Sequence, residues 1–246
     1  MTDAAAPAAP PSGGGALEER VILVTGASRG LGRAVALALA AEGAQLVLIA
    51  RTVGALEELD DLQRALGRRP AVLVPQDLAE HEAIDRLGGA LYQRFGRLDG
   101  LVAAAGTVSM LSPVAHQDPK GWDRTMALNL TANFRLIRSL EPLLRQSPAG
   151  RAVFVTDRTG RDTAYWNPYA ASKAALETLV LGWAGELRQT SVKANLVAPP
   201  PFQSKLRAFC FPGEDPARLP APEDLAPAVL PLLRPDCARH GEIVAL

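Results

Sequence analysis

The sequence has few cysteines and histidines and no excess of charge of either sign. It contains two cysteines, Cys210 and Cys237, and three scattered histidines, and their spacing matches no metal site. Basic and acidic residues balance at 26 each. Because no run of Lys or Arg stands out, the electrostatic footprint of a nucleic-acid or anionic membrane partner is missing. We expect no metal, free thiols in a reducing cytoplasm, and a small, roughly neutral ligand.

Long apolar runs are also missing. No stretch is long enough to span a bilayer, and residues 1–19 lack the basic and apolar regions of a secretory signal. These residues are mostly Ala, Pro, Gly and Ser, which bury too little apolar surface to offset the entropy of ordering them. The sequence therefore predicts a disordered tail over 1–19, a single domain over 20–246 and a cytoplasmic protein that does not enter a membrane.

Apolar runs alternate with helix-like segments from residue 20 onward. This alternation predicts an α/β fold, in which a doubly wound, Rossmann-type parallel sheet carries helices on both faces as three α/β/α layers. Strands are expected over 20–25, 45–50, 71–76, 98–104, 151–156, 191–197 and 242–246. Helices are expected over 31–42, 53–66, 79–95, 120–146, 167–188 and 222–233.

A glycine-rich turn follows the first predicted strand, where residues 25–32 read Thr-Gly-Ala-Ser-Arg-Gly-Leu-Gly. Its first glycine permits a sharp turn, the second lets the backbone approach a pyrophosphate, and the third lets the helix pack on the strand. The N-terminus of the next helix then faces the phosphates. A purely steric turn is the alternative. The dinucleotide-binding candidates are Thr25, Gly26, Ser28, Arg29, Gly30, Leu31 and Gly32.

A second motif, Tyr-Ala-Ala-Ser-Lys at residues 169–173, begins a late predicted helix. Tyr169 and Lys173 are four residues apart and share a helix face, although such a pair also arises by chance. The order and distance of the two motifs are more informative than either motif alone. The glycine turn follows the first predicted strand, and the Tyr-x-x-x-Lys begins a helix after a much later strand. The chain resembles the classical short-chain dehydrogenase/reductase family from Arg20 to Leu246.

The resemblance implies NADP(H) rather than NAD(H) as the cofactor. The second strand ends in Arg51, without the acidic residue that binds the adenosine ribose hydroxyls in NAD sites. Basic residues at Arg51 and Arg29 imply a preference for the 2′-phosphate of NADP(H), which guanidinium groups bind well. Two surface arginines are the alternative. Asp77, followed by Leu78, matches the family position that contacts the adenine amine.

Two cofactor segments depart from the family pattern. The fourth strand ends in Ala-Ala-Ala-Gly at 103–106 where the family usually has Asn-Asn-Ala-Gly, so Ala105 and Gly106 remain while two hydrogen-bonding side chains are lost. After the sixth strand, Pro199 is kept but Pro200 replaces a glycine, and proline neither reaches positive φ nor offers an N–H. The resemblance leaves Ser204 to supply the hydroxyl that contacts the nicotinamide amide.

The catalytic residues are also implied by the resemblance. Tyr169 would be the general acid in reduction and the general base in oxidation of a carbonyl or alcohol substrate. Lys173 would lower the pKa of Tyr169 and bind the nicotinamide ribose. Asn129 sits where the family keeps an Asn that holds a water linking the lysine to solvent.

The family's fourth catalytic residue, a Ser that donates to the substrate oxygen, is missing. Counting the usual thirteen residues back from Tyr169 reaches Thr156, whereas aligning on the strand and Gly160 reaches Asp157. A threonine hydroxyl could still polarise a carbonyl, whereas an ionised Asp cannot donate and would raise the pKa of Tyr169. Thr156 is preferred as the substitute donor because the deletion can be absorbed in the following loop or at the strand end, but the sequence does not decide between the two. Neighbouring residues on a strand point oppositely, so only one faces the substrate. The alternative function is an NADP(H)-binding sensor or partner-binding subunit with weak or no catalysis.

Trp166 and the segments at 211–216 and 222–224 resemble a YciK-type branch of oxidoreductases. The family resemblance also implies a homodimer or homotetramer formed through the helices at 120–146 and 167–188. Five apolar residues there fit either that surface or the core: Leu136, Leu140, Leu176, Leu179 and Trp183.

Overall fold

The protein is described by a computed structural model that covers residues 15–246. Seven parallel strands form one sheet: β1 (Val21–Thr25), β2 (Gln45–Ala50), β3 (Val72–Pro75), β4 (Gly100–Ala103), β5 (Arg151–Val155), β6 (Lys193–Ala198) and β7 (Ile243–Ala245). Their order in the sheet is β3-β2-β1-β4-β5-β6-β7. This order runs outward in both directions from β1 and β4, and it confirms the predicted doubly wound, Rossmann-type sheet.

Helices cover both faces of the sheet, which explains why the central strands are apolar along their whole length. The helices are α1 (Gly30–Ala41), α2 (Val53–Ala65), α3 (His81–Phe95), α4 (Pro119–Met126), α5 (Ala132–Gln146), α6 (Tyr169–Glu186), α7 (Lys205–Cys210) and α8 (Pro222–Val229). One core lies beneath α1, α2 and α8, and the other lies beneath α3, α5 and α6.

The helix predicted over 120–146 is interrupted by a π-helical turn, Ala127–Thr131, which separates α4 from α5. The apolar residues assigned either to a subunit surface or to the core belong to the core, because Leu136, Leu140, Leu176 and Trp183 are buried and Leu179 packs against them. Phe134 on α5 and Leu181 on α6 remain exposed. No helix within residues 15–246 has the length and apolar character needed to cross a membrane.

The N-terminal prediction is wrong for residues 15–19, while residues 1–14 lie outside the described part of the chain. Leu17 is completely buried in the core beneath α1. Its N–H donates to the carbonyl oxygen of Glu42 at 3.3 Å. The burial of Leu17 and its hydrogen bond to the end of α1 therefore order a segment whose composition favours disorder.

Candidate active site

A cavity of about 660 Å³ opens at the carboxyl edge of the sheet, where the strand order diverges between β1 and β4. Ligands bind at this place in open α/β sheets because the loops after neighbouring strands meet there. Thr25 and Asn129 are fully buried and do not line it. The other predicted site residues all line the cavity: Gly26, Ser28, Arg29, Gly30, Leu31, Gly32, Arg51, Asp77, Leu78, Ala105, Gly106, Thr156, Tyr169, Lys173, Pro199 and Ser204.

The turn between β1 and α1 has the backbone shape that its glycines predict. Gly26 and Gly30 have positive φ angles of 67° and 56°. A Cβ atom on Gly32 would lie 2.5 Å from the carbonyl oxygen of Gly26, so only glycine lets α1 begin this close to β1. Among residues 15–246, no side chain caps the N-terminus of α1. The first N–H groups of the helix are thus left for an anion.

Thr25 has a structural role in this turn. Its Oγ1 accepts a hydrogen bond of 3.2 Å from the backbone N–H of Ala105. This bond ties the end of β1 to the end of β4, so that the glycine turn and the segment after β4 form one continuous wall.

Positively charged groups line the cavity beyond the end of β2. Arg29 and Arg51 both reach it. The Arg51 side chain is 52% exposed, and its Nη1 lies 3.8 Å from Oδ2 of Asp77. Gln76 also lines this region and donates through Nε2 to the carbonyl oxygen of Asp77 at 2.9 Å. Sequence reasoning missed Gln76, although its place directly after β3 is a signal that it lies at the sheet edge.

Tyr169 and Asp157 are hydrogen-bonded partners at the end of β5. The Tyr169 hydroxyl donates to Oδ2 of Asp157 at 2.9 Å, and Oδ1 of Asp157 accepts from the N–H of Thr159 at 2.7 Å. Burial, then the Asp157 charge and its hydrogen bond, raise the pKa of Tyr169 well above its usual value. The phenol consequently holds its proton firmly.

The preference for Thr156 as the substitute donor is wrong. Its Oγ1 is fully buried and donates to Oε1 of Glu177 at 2.9 Å, so the hydroxyl proton is already used in the protein interior. Glu177 also accepts from Arg161 at 2.6 Å. Because successive side chains at a strand end point to opposite sides, Thr156 turns inward and Asp157 turns toward the cavity.

Lys173 lies beneath the Tyr169 ring, with Nζ 5.8 Å from the ring centroid. Nζ donates to the carbonyl oxygen of Val155 at 2.9 Å. Burial lowers the pKa of Lys173 to about 8, although the charges of Asp157 and Glu177 act in the opposite direction. Lys173 therefore loses its proton at a lower pH than an exposed lysine does.

Asn129 braces the wall of the site from within the π-helical turn. Its Oδ1 accepts from the N–H of Thr107, and its Nδ2 donates to the Thr107 carbonyl and to Oγ of Ser172, each at 2.9 Å. The backbone carbonyl of Asn129 accepts from Nδ2 of Asn133 at 2.8 Å. These bonds fix the segment after β4 against α6, which carries Tyr169.

The segment after β6 covers the cavity and contains α7, a helix in residues 198–221, where the sequence analysis assigns neither a strand nor a helix. Ser204 caps α7, because its Oγ accepts from the N–H of Arg207 at 3.0 Å. Sequence reasoning missed Gln203, Lys205 and Arg207, which also line the cavity. A Ser followed by seven residues without Pro or Gly was the available signal for this helix.

A row of three tilted aromatic rings joins this covering segment to Tyr169. Trp166 lies between Tyr169 and Phe211, with ring centroids 5.8 Å and 5.9 Å apart. The Arg207 guanidinium lies 3.7 Å from the Phe211 ring centroid and forms two hydrogen bonds with Glu214, of 2.6 Å and 2.7 Å. The charge of Arg207 is therefore balanced within the covering segment itself.

Known proteins resemble the chain over most of its length. The family model for short chain dehydrogenase matches residues 20–215. The uncharacterized oxidoreductase YciK of Escherichia coli K12 is 35% identical over 91% of this chain and 89% of its own length. The solved structure of the short chain dehydrogenase from Shigella flexneri has a TM-score of 0.88 at 35% identity, covering 94% of this chain and 91% of that one. A structure from Escherichia coli CFT073 complexed with NADPH has a TM-score of 0.88 at 35% identity, covering 93% and 97%.

Proposed function

Because this chain belongs to the short-chain dehydrogenase/reductase family and resembles YciK-type oxidoreductases within it, we propose that it is an NADP(H)-dependent oxidoreductase. Its reaction moves a hydride between the nicotinamide and a carbonyl or alcohol substrate. The cofactor, when bound, supplies the hydride donor or acceptor. The similar Escherichia coli protein complexed with NADPH supports this cofactor.

The shape and charge of the cavity fit NADP(H). Gly30 leaves open space where a Cβ would otherwise stand, and the uncapped N-terminus of α1 offers N–H groups to a pyrophosphate. Arg29 and Arg51 supply guanidinium groups for the 2′-phosphate. A 2′-phosphate can replace the Asp77 carboxylate as the partner of Arg51, because the Arg51 and Asp77 side chains are 3.8 Å apart and so only loosely paired. These features favour NADP(H) over NAD(H).

The observation that carries the proposal is the position of Tyr169 and Lys173 on one wall of this cavity. Tyr169 exchanges a proton with the substrate oxygen, and the Lys173 ammonium beneath its ring favours the phenolate form. Asn129 braces the segment after β4 against α6 by its bonds to Thr107 and Ser172. Asp157 takes the place of the family Ser beside the Tyr169 hydroxyl.

A second candidate function is favoured by Asp157. An ionised carboxylate cannot donate to a carbonyl oxygen, and loss of one such donor typically costs about a hundredfold to a thousandfold in rate. The same carboxylate raises the pKa of Tyr169. The second candidate is therefore an NADP(H)-binding protein with weak or no turnover that acts as a sensor or partner-binding subunit.

NADPH binding and Tyr169-dependent turnover test both candidates. NADPH is titrated by fluorescence into wild type and Tyr169→Phe, and both are then assayed with a panel of aldehydes and ketones, with Asp157→Ser as a third protein. Turnover that Tyr169→Phe abolishes supports the oxidoreductase. NADPH binding without turnover of any C=O or C=N compound in wild type, with carbonyl turnover restored in Asp157→Ser, supports the second candidate. Absence of NADPH binding contradicts both.

We also propose that the protein forms a homodimer or homotetramer through α5 and α6, where Phe134 and Leu181 remain exposed. The molar mass in solution of wild type, compared with Phe134→Glu, tests this proposal. A monomeric wild type contradicts it.

A further inference from the structure

The carboxylate of Asp157 faces the cavity without a cationic partner. It accepts hydrogen bonds from the Tyr169 hydroxyl and the Thr159 N–H, and no Lys, Arg or His nitrogen within residues 15–246 lies within 4.0 Å of it. The two neighbouring cationic side chains lie beyond ion-pair distance, since Lys173 donates to the Val155 carbonyl and Arg207 pairs with Glu214, although the charges of Lys173 and Asp157 still interact. Asp157 therefore stands beside the proton donor with no direct ion pair of its own.

The cavity into which this carboxylate faces has aromatic and apolar side chains in its lining as well as polar ones. The apolar group includes Trp166, Phe202, Leu206 and Phe209. A carboxylate combined with aromatic faces attracts organic cations, since both the charge and the ring quadrupoles favour a positive group. A neutral carbonyl oxygen gains no hydrogen bond from Asp157, because both groups are acceptors and no hydrogen lies between them.

The protonation state of Tyr169 also favours a cationic ligand. Reducing a carbonyl requires Tyr169 to give up its proton, which its burial and Asp157 oppose. A protonated C=N group already carries the proton that its nitrogen keeps in the product. Reduction of such a group leaves Tyr169 protonated and hydrogen-bonded to Asp157 throughout.

We propose, resting on the proposed NADP(H)-dependent function, that the site takes protonated imines and that Asp157 accepts the hydrogen bond of the N–H⁺ group. The carbon of the C=N bond gains a hydride from the reduced nicotinamide dinucleotide, which forms a new C–H bond. The π electron pair becomes the nitrogen lone pair, and the N–H proton stays in place. The product is a neutral secondary amine together with the oxidised dinucleotide, so charge and atoms balance.

A binding experiment isolates the charge preference. Calorimetry compares 1,2,3,4-tetrahydroisoquinoline, a cation at neutral pH, with isochroman, in which oxygen replaces the nitrogen. Wild type is expected to bind the cation at least about tenfold more tightly. Asp157→Asn keeps the size and an acceptor for the Thr159 N–H but removes the charge, so this preference should disappear.

Asp162→Asn is the matched control, because Asp162 is exposed in the same segment, does not line the cavity and has a φ of 56° that Asn tolerates. It should keep the wild-type preference. Equal binding of the two ligands by wild type overturns the inference, and so does a preference that survives in Asp157→Asn.

Turnover gives a second readout. Wild type should show at least about tenfold greater kcat/KM with NADPH for 3,4-dihydroisoquinoline than for the ketone 2-tetralone, and Asp157→Ser should reverse the order. The ketone as the better wild-type substrate overturns the inference while leaving the proposed function intact. NADPH titrations of the same proteins separate the two, since failure to bind NADPH removes the proposed function whatever the ligand preference.

Discussion

The hydroxyl of Tyr169, at the start of α6, donates a 2.9 Å hydrogen bond to the carboxylate of Asp157, which follows β5. This bond places a negative charge beside the proposed acid and base. It makes Asp157 the residue that most directly controls the protonation of Tyr169, and the first prediction follows from it.

Asp157→Asn should lower the pKa of Tyr169, because it removes the charge that is the second cause of the raised value. The pKa should stay above that of a free tyrosine, since burial is the first cause and is unchanged. Ultraviolet absorbance titration, with Tyr169→Phe to subtract the other two tyrosines, measures it. Asp162→Asn should leave the titration unchanged. An unaltered pKa in Asp157→Asn would show that Asp157 does not control Tyr169.

Lys173 should make stability depend on pH. Its pKa of about 8 in the fold lies below the usual value of 10.5, so the unfolded chain binds more protons between these values. Wild type should therefore gain about 2 kcal/mol of unfolding free energy relative to Lys173→Met between about pH 7 and about pH 10. Urea denaturation at both pH values measures this difference. A difference that stays constant with pH would contradict the lowered pKa.

Arg29→Ala and Arg51→Ala should each weaken NADPH binding by roughly tenfold to a hundredfold, because each removes a charge-assisted hydrogen bond to the 2′-phosphate. NADH affinity should change less than about twofold, since NADH lacks that phosphate. Arg33→Ala is the control, because Arg33 pairs with Glu58 outside the cavity. Equal losses for NADPH and NADH would argue against a 2′-phosphate site.

Gly32→Ala should destabilise the protein by about 1–3 kcal/mol and impair NADPH binding, because its Cβ would lie 2.5 Å from the Gly26 carbonyl oxygen and push α1 away. Gly54→Ala is the matched control. A Cβ at Gly54 meets no atom within 4 Å, and alanine favours α2 by up to about 1 kcal/mol. Thermal unfolding and NADPH titration of both variants measure these effects. A fully stable Gly32→Ala protein would contradict the close packing of α1 on β1.

Much of the fold follows from local sequence features. Hydrophobic periodicity predicts the apolar strands and the helices between them. Backbone stereochemistry predicts the glycine turn at 25–32. The shared face of Tyr169 and Lys173 also follows, since helix geometry fixes it. Helix α7 was missed, because its six residues are too few to show a period and are fixed by the Ser204 cap and by the contacts of Arg207 with Glu214.

The sequence by itself determined the parallel sheet, the glycine turn for a dinucleotide and the Tyr169 and Lys173 pair. Only the tertiary structure decided which of two adjacent residues stands beside Tyr169. Thr156 turns inward because Glu177, 21 residues away on α6, accepts its hydroxyl in the core, and this leaves Asp157 to face the cavity. That contact depends on how the loop after β5 returns to α6, and no local pattern of residues encodes such a long-range fit.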